Sequence, residues 1–177
     1  MTRYTARTEW RVDAPVERAW DALLLASAWP AWWPGIRSVD ELEPGAESGV
    51  GRVLRQRWRS LLPYTTTLEL EIRAVERHRR LEARATGDVT GTCRWTFEPR
   101  GDATIVGFEL DVTPARRWMA VPVPFGHWVF VRNVDALMLA GARGLAGLLG
   151  TTVVDRTTAA RRGAVATRLT GSPLGTP

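Results

Sequence analysis

The sequence predicts an α+β domain in which a curved, seven-stranded antiparallel sheet wraps a long C-terminal helix. Three observations lead there. Residues 36–112 alternate apolar and polar side chains, with turn residues at regular intervals, the period of half-buried strands. One further strand pattern, residues 4–12, precedes this run and is followed by an amphipathic helical stretch. Residues 126–149 then carry an apolar stripe of helical period, and such a stripe has to be buried against something.

Taken in order, YTARTEWRV at 4–12 sets Tyr4, Ala6, Thr8, Trp10 and Val12 against polar neighbours, a half-buried strand. Asp13 is placed to cap a helix and Pro15 suits its first turn, after which Val16, Ala19, Trp20, Leu23 and Leu24 follow at i, +3, +4, +7 and +8. The connector AWPAWWPG at 28–35 holds Pro30 and Pro34, so no long helix runs through it. Trp29, Trp32 and Trp33 stand at i, i+3 and i+4 and share one face of a single helical turn. They either plug the end of a core or rim a pocket.

Six strands follow: IRSVDEL, GVGRVLRQRWR, YTTTLELEIRAVE, RLEARATG, VTGTCRWTFE and ATIVGFELDV. The turns between them are short, which makes neighbours antiparallel. One face carries Glu69, Glu71, Arg73, Glu82, Arg84, Arg94, Glu98, Glu109 and Asp111 and meets water. The other carries Tyr64, Leu68, Leu70 and Ile72, then Leu81, Ala83 and Ala85, then Cys93, Trp95 and Phe97, then Val106, Phe108, Leu110 and Val112, and must pack on a second layer. In the final helix Val131, Val134, Met138, Gly141, Leu145 and Leu148 form the stripe. Gly141, Gly144 and Gly147 each cost about 1 kcal/mol relative to Ala in a helix, which suggests close packing, with base composition as the competing explanation. Residues 151–177 have seven threonines and no aromatics and read as a flexible Thr/Arg-rich tail with room for a short helix near 158–168.

Composition bounds the function. A chain of 177 residues makes one domain with a proper core. All 24 basic residues are Arg, and the chain up to residue 150 holds 20 of them against 18 acids while the tail holds four against Asp155 alone. The basic excess is therefore greatest in the tail, and no nucleic-acid partner is expected. A lone Cys93 and two separated histidines, His78 and His127, give neither a disulfide nor a metal cluster, so no metal and no cofactor is expected. The N-terminal MTRYTARTEW lacks an apolar signal core, and the uncharged run WMAVPVPFGHWVFV at 118–131 is proline-broken and shorter than a membrane span of roughly 20 residues. A cytoplasmic protein without stable membrane insertion, monomeric or homodimeric, is the expectation.

The stretches DAPVERAWDALLLASAWPAWWPG, GVGRVLRQRWRSLLPY and GDVTGTCRWTFEP, with a C-terminal helix introduced by His127 and Trp128, together resemble the helix-grip proteins of the START and polyketide-cyclase (SRPBCC) superfamily. The likeness covers residues 4–150 and consists of fold signatures, with no catalytic signature among them. It implies a cavity, open at one end, enclosed by the concave sheet, the long helix and the helical connector, and binding lipids, polyketides or other apolar molecules. By position the resemblance puts Trp32 and Trp33 at the cavity mouth, Trp58 and Tyr64 on the strands facing the opening, and Trp95 opposite the helix.

The candidate ligand-binding set is thus Trp32, Trp33, Trp58, Tyr64, Trp95, Phe108, Trp128, Val134 and Met138. A pocket wall and a packed core look alike in a sequence, so for Trp33, Trp58 and Trp95 both readings stand, while Trp10 and Trp20 read as core. Strand register leaves two polar pairs open for the interior, Arg52 with Gln56 or Arg55 with Arg57. His127 reads as a helix cap or a solvent-facing group, and Cys93 as a small buried hydrophobe. No nucleophile-base pair, phosphate loop or dinucleotide fingerprint is present. The expected function is binding of an apolar or aromatic small molecule in an internal cavity. The alternatives are a polyketide cyclase or dehydrase, with catalytic residues unassigned, and a membrane-surface or partner-binding module using residues 118–130 and the tail.

Overall fold

The computed structural model describes residues 2–59, 65–115, 126–151 and 153–164, without the side chains of residues 2, 126–131 and 153–164. Strand β1 (Thr2–Val12) leads into helix α1 (Val16–Leu24), a 3-10 turn (Ala26–Ala28) and the one-turn helix α2 (Trp29–Trp32). Strands β2 (Ile36–Glu43), β3 (Val53–Trp58), β4 (Thr66–Glu76), β5 (Arg80–Gly87), β6 (Val89–Arg100) and β7 (Ala103–Pro114) follow, then helix α3 (Gly126–Leu149) and strand β8 (Val153–Ala164). All seven expected strands are present, and with β8 they form one eight-stranded sheet of order β2-β3-β4-β5-β6-β7-β1-β8.

The hairpins β2 through β7 pair antiparallel with their chain neighbours, and β1 closes onto β7 with Trp10 opposite Val106. The two faces of the sheet are those set by the alternation. On the wet face Arg55 reaches Glu69, Arg94 reaches Glu82 and Glu109, and Arg7 pairs with Glu109. Exposed pairs of this kind contribute about 0–1 kcal/mol each, so the dry face carries the stability. There Ile72, Ala83, Ala85, Cys93, Trp95, Phe97, Val106, Phe108 and Val112 are buried.

Three expectations are corrected. Asp13 does not cap α1: Pro15 is the N-cap residue, no side chain bonds the free N–H groups, and Asp13 instead lies 4.0 Å from Arg11. The α3 stripe runs through Val134, Met138, Ala142, Leu145 and Leu149, while Leu148 is 51% exposed, because a straight helix repeats every 3.6 residues and the row drifts one position by its last turn. Residues 153–164 are not a flexible tail, nor are residues 158–164 helical; they pair antiparallel along β1 from Thr2 opposite Ala164 to Val12 opposite Val153. The outer edge of β1 would otherwise present a row of unpaired backbone groups. Residues 165–177, also assigned to the tail, lie outside the described residues.

A chain ending at Thr151 tests the role of β8. Each ladder bond contributes about 0.5–1.5 kcal/mol net, and ordering each strand residue costs about 1–2 kcal/mol, so these terms largely cancel and the melting temperature should fall little. The bared β1 edge should instead cause concentration-dependent self-association, read by sedimentation velocity. A truncated chain that sediments as the full chain does at every concentration would remove β8 from that protective role.

Candidate functional site

The tryptophan connector is held by what lies on either side of it. Trp29, Trp32 and Trp33 are all buried, as one helical turn sharing a face requires. Trp33 is the hub: its ring centroid lies 5.9 Å from Trp10, 5.3 Å from Trp29, 5.5 Å from Trp32, 5.4 Å from Trp58 and 6.1 Å from Trp95. Its Nε1 donates to the Leu137 carbonyl of α3 at 2.9 Å. On the α3 side the contact is with glycine. A Cβ at Gly141 would stand 2.3 Å from Trp33 Cε2, and one at Gly144 would stand 1.8 Å from the Trp32 carbonyl oxygen. Gly141 and Gly144 thus let the connector sink onto α3, while Gly147 has no atom within 4 Å of such a position.

This packing fills the space between α3 and the sheet with indole. A cavity of about 340 Å³ lies on the other side of the indole layer, bounded by α1, the 3-10 turn and Trp29 above and by β3, β4, β5 and β6 below. Its wall is apolar: Trp20, Leu23, Trp29, Leu54, Ile72, Leu81, Ala83, Trp95 and Phe97. Glu41 of β2 and Pro44, Ala46, Glu47 and Ser48 of the β2–β3 loop supply the rim, all exposed, so the cavity meets solvent at that end. Arg52 is also at the rim, its Nε donating to Glu41 Oε2 at 2.5 Å and its Nη1 to the Leu24 carbonyl at 3.2 Å.

Of the candidate residues, the structure brings Trp95 to this cavity. Trp32, Trp33, Phe108, Val134 and Met138 lie in the buried core cluster behind it, Trp33 at 0% exposure. Trp58 packs on that cluster and donates from Nε1 to Gln56 Oε1 at 2.9 Å. Tyr64 and the side chains of His127 and Trp128 lie outside the described residues, as does most of the 118–130 segment. Trp20, expected as core, is both buried and part of the wall. The open register question resolves to Arg52 and Gln56: Leu54 and Gln56 are buried, whereas Arg55 pairs with Glu69 on the outer face. A polar residue at an inward strand position was the signal that pointed to Gln56.

Below the rim the polar lining consists of Gln56 and Cys93. Burial pushes the Cys93 thiol up to about 12, so it stays protonated at neutral pH and is a poor nucleophile. Among the described residues no group of three His, Cys, Asp or Glu side chains comes together as a metal site, and no helix is long and apolar enough to cross a membrane.

Comparison with known proteins agrees with this architecture. The aromatase/cyclase Zhui from Streptomyces sp. R1128 superposes with a TM-score of 0.68 at 16% identity, covering 85% of this chain and 94% of that one. A START superfamily protein from Mycobacterium smegmatis gives 0.67 at 19% identity, covering 82% and 99%. The di-domain ARO/CYC BexL of the BE-7585A biosynthetic pathway gives 0.61 at 24% identity, covering 81% of this chain and 48% of that one. These likenesses establish the fold. No curated protein sequence matches the chain. A family profile described as polyketide cyclase/dehydrase and lipid transport matches residues 3–150, from β1 to the end of α3, and the chain belongs to that family.

Proposed function

We propose that the protein binds one apolar or aromatic small molecule in the cavity between α1, Trp29 and strands β3–β6. The observation that carries this reading is a cavity of about 340 Å³ walled by indole, phenyl and aliphatic groups, with its charged residues confined to the rim. Ligand sites run to roughly 300–1,000 Å³, so this one is small: it suits two or three fused rings better than an extended acyl chain. Trp20, Trp29, Trp95 and Phe97 offer ring faces and edges to such a frame.

Uptake of 2-ethylnaphthalene, read by quenching of the protein's tryptophan emission, tests it. The wild type should bind saturably at one site. Ala83 is buried and lines the cavity, so Ala83→Leu places new methyl groups where the probe would lie. Each displaced ring CH forfeits about 0.8 kcal/mol, and affinity should fall about tenfold or more at an unchanged or raised melting temperature. Unaltered affinity in the variant would move the binding site elsewhere, and absence of saturable uptake by the wild type would sink the reading.

The family description supports a second reading, a cyclase or dehydrase in which the cavity holds a poly-β-keto chain in a reactive fold. The sparse polar lining limits what side chains would contribute to that chemistry, leaving most of the work to positioning. Turnover of such a chain that survives Ala83→Leu would place the reaction outside this cavity.

A further inference from the structure

We propose that Gln56 is the hydrogen-bond donor of the cavity and selects ligands that carry a neutral carbonyl oxygen, a ketone or quinone, on their ring frame. The proposal rests on the cavity being the ligand site. Gln56 lines it and is 0% exposed. An indole N–H only donates, so the 2.9 Å contact from Trp58 Nε1 decides which end of the amide is oxygen. Oε1 faces Trp58 and the NH₂ group faces away from it.

Among the described residues that Nε2 has no hydrogen-bond partner. Buried amide donors are almost always satisfied, because leaving one unmet costs the full desolvation of the group. With no acceptor supplied by the described residues, the acceptor comes from the cavity that Gln56 lines: a resident water in the free protein and a ligand atom in the complex. Trp58 thereby acts as a positioning residue, holding the amide so that its donor end is presented.

Charge decides the kind of acceptor. Arg52 is the cationic residue among the described lining, and it is engaged at the rim by Glu41 and the Leu24 carbonyl. Four residues of extended chain put it roughly 13 Å from Gln56. An anionic oxygen beside Gln56 would be desolvated without a counter-charge, whereas a neutral carbonyl accepts from the amide at far smaller cost.

The test compares 2-acetylnaphthalene with 2-ethylnaphthalene, which share a ring system and nearly a shape, on the full chain and on Gln56→Met. The ratio of acetyl to ethyl affinity should fall about fivefold or more in the variant, with ethyl affinity changed twofold or less. Independently of any variant, difference infrared spectra should place the carbonyl stretch of bound 2-acetylnaphthalene below its position in an alkane solvent. A stretch at the alkane position, or a ratio unmoved by Gln56→Met, overturns the hydrogen bond while leaving the cavity reading intact. Failure of both probes to bind the wild type overturns the two together.

Discussion

Trp33→Ala is expected to destabilise the protein by about 3–5 kcal/mol, the range for removing a fully buried tryptophan. Trp33 has 0% exposure and five tryptophans around it, and its Nε1 ties α2 to α3 through the Leu137 carbonyl. The indole therefore joins the connector, β1, β3, β6 and α3, and no smaller group fills that junction. For a domain of this size each kcal/mol moves the melting temperature by about 2–4 °C, so a fall of about 6–20 °C is expected by circular dichroism. A loss below about 1 kcal/mol accompanied by a collapse of 2-ethylnaphthalene uptake would return Trp33 to the cavity mouth, where the sequence resemblance had put it.

The strands were legible because alternation is a direct consequence of a sheet with one wet face: Glu69, Glu71 and Arg73 against Leu70 and Ile72 leave one assignment. The location of the cavity was not legible. An indole that walls a cavity and one that fills a core obey the same pattern, and Trp29 and Trp33, four residues apart on one turn, turned out to lie on opposite roles of the same cluster, one lining the cavity and the other behind it. The discriminating signal was in α3. Gly141 and Gly144 are where a helix admits another element to backbone distance, which means that the space facing them is filled by α2 rather than by a ligand. Strand β8 escaped notice for a different reason. An edge strand needs only backbone groups to complete its partner, so the Thr- and Arg-rich residues 153–164 carry no apolar alternation to announce it.

The same glycines give the sharpest test of this packing, because helix propensity and contact geometry disagree in sign. Replacing Gly by Ala inside a helix normally stabilises by about 1 kcal/mol, and that is the expectation for Gly147→Ala, where an added Cβ meets nothing within 4 Å. Gly144→Ala should go the other way. Its Cβ would sit 1.8 Å from the Trp32 carbonyl oxygen and 2.9 Å from the carbonyl carbon, against about 3.3 Å for the closest ordinary C···O approach. The obstacle is backbone, so α2 and α3 would have to separate, and overpacking of this kind costs about 1–3 kcal/mol or more. Gly141→Ala meets the Trp33 ring instead, at 2.3–2.6 Å from three of its atoms, and should be comparably destabilising in the wild type. In a Trp33→Ala background the two part company: Gly141→Ala should become neutral or stabilising, since the ring it struck is gone, while Gly144→Ala should keep its full cost. Denaturant titrations of six chains, the wild type, Trp33→Ala, and Gly141→Ala and Gly144→Ala in both backgrounds, give this directly. Equal behaviour of Gly141→Ala and Gly144→Ala in that background would mean that α3 is held off by something other than the Trp33 ring and the Trp32 carbonyl, and the account of why the cavity lies beyond the indole layer would fall with it.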